Sequence, residues 1–556
     1  MGQRVAIVGG VAGGMNAATR LRRLDEAAEI VVFERGPHVS FANCGLPYYL
    51  GGEIADRAKL LVQTPERLRA AFNLDVRPLT EVVAIRKAKR EIDVRDVATG
   101  AVTVERYDHL ILSTGAVPIV PAIPGVDQPG HFFLRTIPDM DRIDAWIRDR
   151  AAKTAVVIGG GFIGLEAAEQ LHRRGLSITL IEKNRQVLAP LDPEMAALVE
   201  AELRRNGVAL HLANGAVEFQ PPTATAAASV VRLTKGELIP ADIVIIGIGV
   251  KPEVSLAKNA GLKLGATGGI EVDSRLRTSD PNIWAVGDAI EVSHGVTGKP
   301  ALIALAGPAN RQGRIVADNI AGRTSEYMAT MGTAIVRVFD LTAACTGANE
   351  KLLEAAGKSF QAVHLHPNSH AGYYPGATPI AMKLLFDPET GWLHGAQAVG
   401  AEGVDKRIDV IATAMMGGLG VEELAQLELC YAPPFGSAKD PVNLAGMVAD
   451  NVVTGDVELV QWHEVAALAA GGALILDVRE SAERAAGAIP GSIGIPLGEL
   501  RARLGELPND RLILAHCASG QRSYNACRIL TQRGYTCRNL TGSYKTWKAA
   551  QEVVSK

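Results

Sequence analysis

Two copies of one arrangement, a strand, a glycine loop, a helix, a second strand and an acid, constrain this chain more than any other feature. The apolar run Val5 to Val8 enters Gly9-Gly10-Val11-Ala12-Gly13-Gly14, then an Ala-rich stretch to about Leu24, then Ile30 to Phe33 and Glu34. The same grammar returns about 150 residues later. There Ala155 to Ile158 leads into Gly159-Gly160-Gly161-Phe162-Ile163-Gly164, a helical stretch from Phe162 to Arg174, Ser177 to Ile181 and Glu182. A short, wholly apolar run entering a glycine turn reads as a strand buried on both faces of a parallel sheet. Glycines in such a loop permit the tight turn and close approach, the helix N-terminus faces a pyrophosphate, and the acid binds ribose hydroxyls.

The second copy matches Gly-x-Gly-x-x-Gly in full, which assigns Gly159, Gly161, Gly164 and Glu182 to a nicotinamide dinucleotide. An acid at 182 repels a 2′-phosphate and favours NADH, while Lys183 and Arg185 keep NADPH open as a second option. The first copy departs from the pattern, with Val11 at the middle glycine. Gly9, Gly10, Ala12, Gly13, Glu34 and Arg35 still supply a nucleotide site. The strand end Thr114-Gly115 and the strand Ile283 to Asp288 add a second contact set for a long cofactor, which points to FAD.

At 556 residues the chain is too long for one core. Its 47% hydrophobic content, with only 5% aromatic residues and 58 glycines, suits an α/β protein. A net charge of −3 gives no reason to expect nucleic acid or a membrane surface as partner. The N-terminus runs straight into a strand, and the longest apolar run, Ile243 to Val250, is broken by Gly247 and Gly249. A cytoplasmic protein is therefore expected. Six cysteines, at 44, 345, 430, 517, 527 and 537, are too few and too unevenly spaced for a disulfide framework. No Cys-x-x-Cys suggests zinc, and no metal is expected.

Residues 327 to 446 have a different texture: strand-like Ala334 to Phe339 and Ile380 to Phe386, then helices, then Tyr-Ala-Pro-Pro from Tyr431. A linker is expected at 447–457. Leu474 to Val478 and Leu512 to Ala515 then read as parallel strands of a small final α/β domain.

Two cysteines stand in chemically distinctive surroundings. Cys44 lies in Ser-Phe-Ala-Asn-Cys-Gly-Leu-Pro-Tyr-Tyr, and Cys517 opens Cys-Ala-Ser-Gly-Gln-Arg. Neither has a second cysteine within four residues, so neither is half of a local dithiol. A helix is expected to begin at Cys44, whose dipole would favour the thiolate by about 0.3–1 kcal/mol. The loop after Cys517 can aim consecutive N–H groups at one point, a nest that suits a thiolate or persulfide. Gly520 permits its curvature, and Arg522 can complete or orient it. The remaining four cysteines read as packing or surface thiols.

On these motifs, residues 1 to about 446 resemble the pyridine nucleotide-disulfide oxidoreductases of the coenzyme A disulfide reductase and NADH oxidase branch. That branch uses one active-site cysteine where glutathione reductase relatives have Cys-x4-Cys; here the residue five beyond Cys44 is Tyr49. Residues 457 to 556 resemble a rhodanese domain through Asp477-Val478-Arg479-Glu480, Ile489-Pro490-Gly491-Ser492 and the Cys517 to Arg522 loop, although Ala488 stands where that family often has histidine. The whole resembles coenzyme A disulfide reductase-rhodanese fusions, including NADH-dependent persulfide reductases.

The resemblance implies two Rossmann-like domains, an FAD-binding one at 1–118 with 250–326 and an NAD(P)H-binding one at 119–249. An α+β dimerisation domain at 327–446 and a rhodanese domain at 458–556 complete a homodimeric flavoprotein. It further implies that Cys44 forms a mixed disulfide with substrate. Coenzyme A, as substrate or bound carrier, would meet Asn16, Arg20, Arg23, Ser40 and Asn43, with Lys439 contributed across the dimer. Arg20 and Arg23, three apart, share a helical face. Tyr373, or its neighbour Tyr374, and Tyr431 would protonate or orient a leaving sulfur. The expected activity is NADH-driven reduction of persulfide, polysulfide or coenzyme A disulfide sulfur through Cys44, with Cys517 delivering or accepting sulfane sulfur. Coenzyme A disulfide reductase, NADH oxidase or peroxidase, and sulfurtransferase are the alternative activities.

Overall fold

The three central residues of β1 (Arg4–Val8) are buried, as a strand with neighbours on both sides requires. The computed structural model describes residues 2–222 and 228–554. In it β1 is the middle of a five-stranded parallel sheet, with α1 (Ala12–Leu24) leading to β2 (Glu29–Phe33) on one side. Asp75–Arg77 lies beyond β2, and His109–Leu112 then Ile283–Ala285 lie on the other side. The buried face of α1 is built from small residues, Gly13, Gly14, Ala17 and Ala18, with Met15 and Leu21. Small residues let the helix Ala306–Ile320 approach closely: a Cβ on Gly313 would stand 2.3 Å from the Gly13 carbonyl oxygen. Each fully buried Ile, Leu or Val in this core contributes about 1.5–3 kcal/mol.

The second copy repeats the unit as β3 (Thr154–Ile158), α2 (Phe162–Arg173) and β4 (Ser177–Ile181). β3 pairs in parallel with β4 on one side and Ile243–Ile246 on the other. The chain divides into two compact units, residues 1–183 with 214–332, and residues 184–213 with 333–556. Both parallel sheets just described have their glycine loops in the first unit.

The second unit holds two sheets of different kinds. One is antiparallel, ordered 334–338, 341–347, 393–400, 380–386, 361–365, and its strands Ile380–Phe386 and Leu393–Gly400 are buried along their whole length. Within that apolar strand Lys383 is fully buried, and its Nζ meets Glu194 at 2.6 Å, Glu350 at 2.7 Å and Asp192 at 2.8 Å. The other sheet is parallel, ordered 458–460, 537–540, 513–516, 474–477, 493–494. Most of the stretch expected as linker is helical, because Pro441–Val453 forms one helix. Asp440 caps it by accepting the Val442 N–H, and its apolar face buries Val442, Ala445 and Ala449. Among the described residues no helix is long and apolar enough to cross a membrane.

Candidate active sites

The two glycine loops are built alike, down to individual bonds. Gly9 and Gly159 have φ of 100° and 108°, and a Cβ on either would strike a backbone oxygen, Ser113 O at 2.1 Å or Gly247 O at 2.4 Å. The acids fold back onto their own loops: Glu34 accepts the Gly10 N–H at 2.9 Å, and Glu182 accepts the Gly160 N–H at 2.7 Å. Val11 precedes the first turn of α1, with an extended-side φ of −107° that needs no glycine. A Cβ on Gly161 would meet no protein atom within 4 Å, which leaves the approach to the α2 N-terminus open.

A cavity of about 590 Å3 lies at the first loop. Gly9, Ala12, Gly13, Glu34 and Arg35 line it, together with Thr114, Gly115 and Asp288. Gly10 is engaged through its N–H with Glu34 instead. Asp288 sits on a short turn, Gly287–Ala289, and burial pushes its carboxyl up against the opposing pull of Arg135, which also lines the cavity. A pyrophosphate-type loop, a ribose-type acid and a second acid, Asp288, lining one cavity fit a long dinucleotide such as FAD.

Asn43 lines the same cavity, and its Oδ1 accepts the Cys44 N–H at 3.1 Å. Cys44 lies in a 3-10 turn, Asn43–Gly45, followed by a helix of only five residues, Leu46–Leu50. The expected helix-dipole effect on the thiol is not what prevails. Cys44 is open by area, yet the crowding of protein around it desolvates the thiol, and the charges of Glu166 and Asp288 add to this, so its pKa is raised. Its own backbone N–H is the opposing influence. Glu166, on α2, accepts a bond from the Tyr48 hydroxyl at 3.1 Å.

The remaining expected substrate residues are dispersed in character. Arg20 is held by Asp318 through two bonds of 2.9 and 2.7 Å, whereas Arg23 is exposed, with its guanidinium 6.0 Å from the Phe72 ring. Asn16 bonds Asn310 at 3.4 Å. Ser40 has a left-handed backbone at φ 46° and donates its N–H to the Gly10 carbonyl. Lys439 is exposed in the second unit. There too, the Tyr373 and Tyr431 hydroxyls meet at 3.0 Å, and that bond raises the Tyr373 pKa. Tyr374 turns instead to His370, edge-on at 5.6 Å.

Cys517 ends β5 (Ile513–His516) and precedes α3 (Gln521–Thr531), and it is 1% exposed. The Gly520 N–H donates to its Sγ at 3.1 Å, and the Ser523 hydroxyl lies at 3.5 Å. Gly520 takes φ 114° to shape this loop. Burial pushes the thiol up, but the Ser523 hydroxyl and the N–H groups of Ser523, Gly520 and Ser519 outweigh it, so the pKa falls below its ordinary value. Arg522 is gripped by Glu483 through two 2.7 Å bonds, and a bond to Cys517 also favours its charge. Cys527 and Cys537, in the same core, bring their sulfurs to 3.0 Å.

Sequence reasoning passed over Glu166, Tyr48, Arg135, Glu483, Ser523 and Ser543. Ser523 carried a readable signal, six residues after Cys517 in the first turn of α3. Tyr48 too lies close in sequence, four residues after Cys44, whereas Glu166, Arg135, Glu483 and Ser543 become neighbours only through the fold.

Two dinucleotide loops beside a single-cysteine segment define a nicotinamide- and flavin-linked oxidoreductase. The chain belongs to the pyridine nucleotide-disulphide oxidoreductase family, whose description matches residues 3–313, with that family's dimerisation domain matching residues 333–441. A rhodanese-like domain matches residues 461–550. The coenzyme A disulfide reductase of Staphylococcus haemolyticus is 36% identical over 448 residues, 80% of this chain and 99% of that protein. The crystal structure of reduced Bacillus anthracis CoADR-RHD superposes with a TM-score of 0.97 at 50% identity, covering 99% of both chains. The NAD-dependent persulfide reductase from A. fulgidus superposes at 0.91 with 38% identity, covering 98% of this chain and 100% of that one.

Proposed function

We propose that this chain uses NADH to reduce sulfane sulfur carried on coenzyme A or a similar small thiol, releasing hydrosulfide. Cys44 is the reducing thiol and Cys517 the sulfur-carrying one. The observation that carries this reading is a lone thiol, Cys44, beside the cavity that fits FAD, in one chain with a second lone thiol acidified by its loop.

The Cys44 thiolate attacks the inner sulfur of a persulfide, R–S–SH. The S–S bond breaks, HS− leaves with the electron pair, and a Cys44–S–S–R disulfide remains. FAD, when bound, supplies the electron pair drawn from NADH that reopens this disulfide. Glu34 would hold a ribose of that cofactor, and Glu182 would hold a ribose of NADH. Asn43 keeps the Cys44 backbone in place through its Oδ1. Asn16, Arg20, Arg23 and Ser40 receive the coenzyme A portion of the substrate, with Lys439 reaching it across a homodimer. For Arg20 this requires sharing its guanidinium with Asp318. The paired hydroxyls of Tyr373 and Tyr431 protonate or orient the departing thiolate.

At the other site the Cys517 thiolate takes one sulfur from a polysulfide. The Cys517 persulfide then yields that sulfur to the thiolate of coenzyme A, giving the R–S–SH that Cys44 consumes and restoring the Cys517 thiolate. Six unbridged cysteines fit a reducing compartment, and we place the homodimer in the cytoplasm.

A second reading is favoured by the 36% identity to a coenzyme A disulfide reductase. The same attack by Cys44 on coenzyme A disulfide releases a thiolate in place of HS−. Anaerobic NADH oxidation with coenzyme A persulfide, coenzyme A disulfide or polysulfide, set beside NADH oxidation by oxygen alone, separates the readings. Persulfide is expected to be fastest, with hydrosulfide equimolar to NADH consumed. Equal rates with oxygen alone, or sulfide release beyond one equivalent per Cys44 without NADH, would overturn the proposal.

A further inference from the structure

The turn that enters the last helix passes through two consecutive left-handed residues, Gly542 at φ 66° and Ser543 at φ 53°. Glycine adopts that region freely, but serine there is strained and persists only where its surroundings over-determine it. The surroundings do so. Thr541 Oγ1 accepts the His364 N–H at 2.7 Å, Thr546 Oγ1 and His366 Nε2 share a bond at 2.9 Å, and a Cβ on Gly542 would meet His364 Cβ at 2.7 Å.

Ser543 is fully buried, and its hydroxyl faces the rhodanese-like cysteine. Its Oγ accepts the Cys517 N–H at 3.1 Å and stands 3.7 Å from Cys517 Sγ. Ser523 Oγ lies 3.1 Å away and the Leu540 carbonyl oxygen 3.2 Å away. A hydroxyl has one proton to give. Beside a neutral thiol, Ser543 can donate to Leu540 O, and Ser523 to Gly520 O at 3.0 Å. Beside a charged sulfur the charge-assisted bond is the stronger, and either hydroxyl needs only to rotate to make it. Ser523 and the Gly520 N–H approach the sulfur from the α3 side, whereas Ser543 comes from the turn 26 residues after Cys517.

We propose that Ser543 is a positioning residue for sulfur uptake at Cys517, anchoring the loop through the Cys517 N–H and turning its proton to the sulfur once that sulfur is anionic. This rests on the reading of Cys517 as the sulfur-accepting thiol. The donor class is an inorganic polysulfide. The Cys517 thiolate attacks a terminal sulfur, the adjacent S–S bond breaks, and the shortened polysulfide dianion leaves with the electron pair. The Cys517 persulfide anion that remains is the species the two hydroxyls and the loop N–H groups hold. The other ionisable groups around this sulfur are Arg522, tied to Glu483; Cys527 further along α3; and His516, which burial keeps neutral with a pKa of about 4.

The test uses the full-length chain and its Ser543→Gly and Ser543→Ala variants, mixed with inorganic polysulfide without NADH. Persulfide on the Cys517 peptide is followed by mass spectrometry across a pH series, with thermal unfolding recorded alongside. Both variants lose the acceptor of the buried Cys517 N–H, but glycine relieves the backbone strain that alanine keeps, so Ser543→Gly is expected to unfold at a higher temperature than Ser543→Ala. Its loading at neutral pH nevertheless falls about tenfold, and the pH midpoint of loading moves upward. Ser543→Ala shows the same loading defect at lower thermal stability. An unchanged rate and midpoint in Ser543→Gly overturns the inference, as does a defect that appears only where stability is lost. Failure of the unaltered chain to load sulfur at Cys517 overturns the underlying reading, and this inference with it.

Discussion

Cys44 is open by area and Cys517 is sealed at 1% exposure, yet the sealed thiol is the one whose surroundings favour its charge. Cys44 is crowded by protein and faces two carboxylates, Glu166 and Asp288, which together hold its proton on. Cys517 has lost water but gained a hydroxyl and three N–H groups in exchange. Exposure therefore says little about ionisation; the sign of the dipoles and charges within reach decides it. Lys383 follows the same rule. Its complete burial disfavours the ammonium, but Glu194, Asp192 and Glu350 more than restore it. The contrast suits a division of labour in which Cys517 is ready for sulfur at rest, and Cys44 becomes reactive only with its cofactor and substrate in place.

The comparison breaks most visibly at Cys517 itself. A Cys517→Ser variant should lose NADH-independent sulfur uptake from polysulfide by about a thousandfold or more, read as persulfide by mass spectrometry. Its NADH-driven reduction of coenzyme A disulfide should fall far less; equal losses would mean that the two thiols are not separate stations. Next in size is Lys383→Met, which leaves three carboxylates facing one another without a cation. It should destabilise the second unit by about 3–5 kcal/mol in urea unfolding. Glu182→Gln should raise KM for NADH about tenfold and narrow the preference over NADPH, as steady-state rates with both nucleotides would report.

The finest test concerns Cys44. Glu166 carries a negative charge that disfavours the thiolate, so Glu166→Gln should move the alkylation midpoint of Cys44 to lower pH. At one mildly alkaline pH the variant should be labelled faster than the unaltered chain. A midpoint that stays in place would remove Glu166 from the account.

Much of this was legible in the chain because the informative signals are local. The glycine loops, their acids and the Cys517 loop each lie within a few dozen residues, and the Gly10–Glu34 and Gly160–Glu182 bonds join each acid to the loop its spacing pairs it with. Long-range partners were not legible. Lys383 sits in an apolar strand and looks like an interruption until Asp192 and Glu194, about 190 residues earlier, are folded against it. The surroundings of Cys44 were only partly legible for a similar reason. A helix start was foreseen, but the helix is five residues long, and the thiol is governed first by the protein packed around it and then by the charges of Glu166 and Asp288. Ser543 gives no sign in sequence, since neither its backbone strain nor its place beside Cys517 has a local pattern.

The central claim is that Cys44 alone passes reducing equivalents to sulfur, and sulfide release by a Cys44→Ser variant tests it most directly. With coenzyme A persulfide and NADH under anaerobic conditions, the variant should retain its cofactor and release hydrosulfide at no more than about a thousandth of the normal rate. Release at the normal rate would contradict the account.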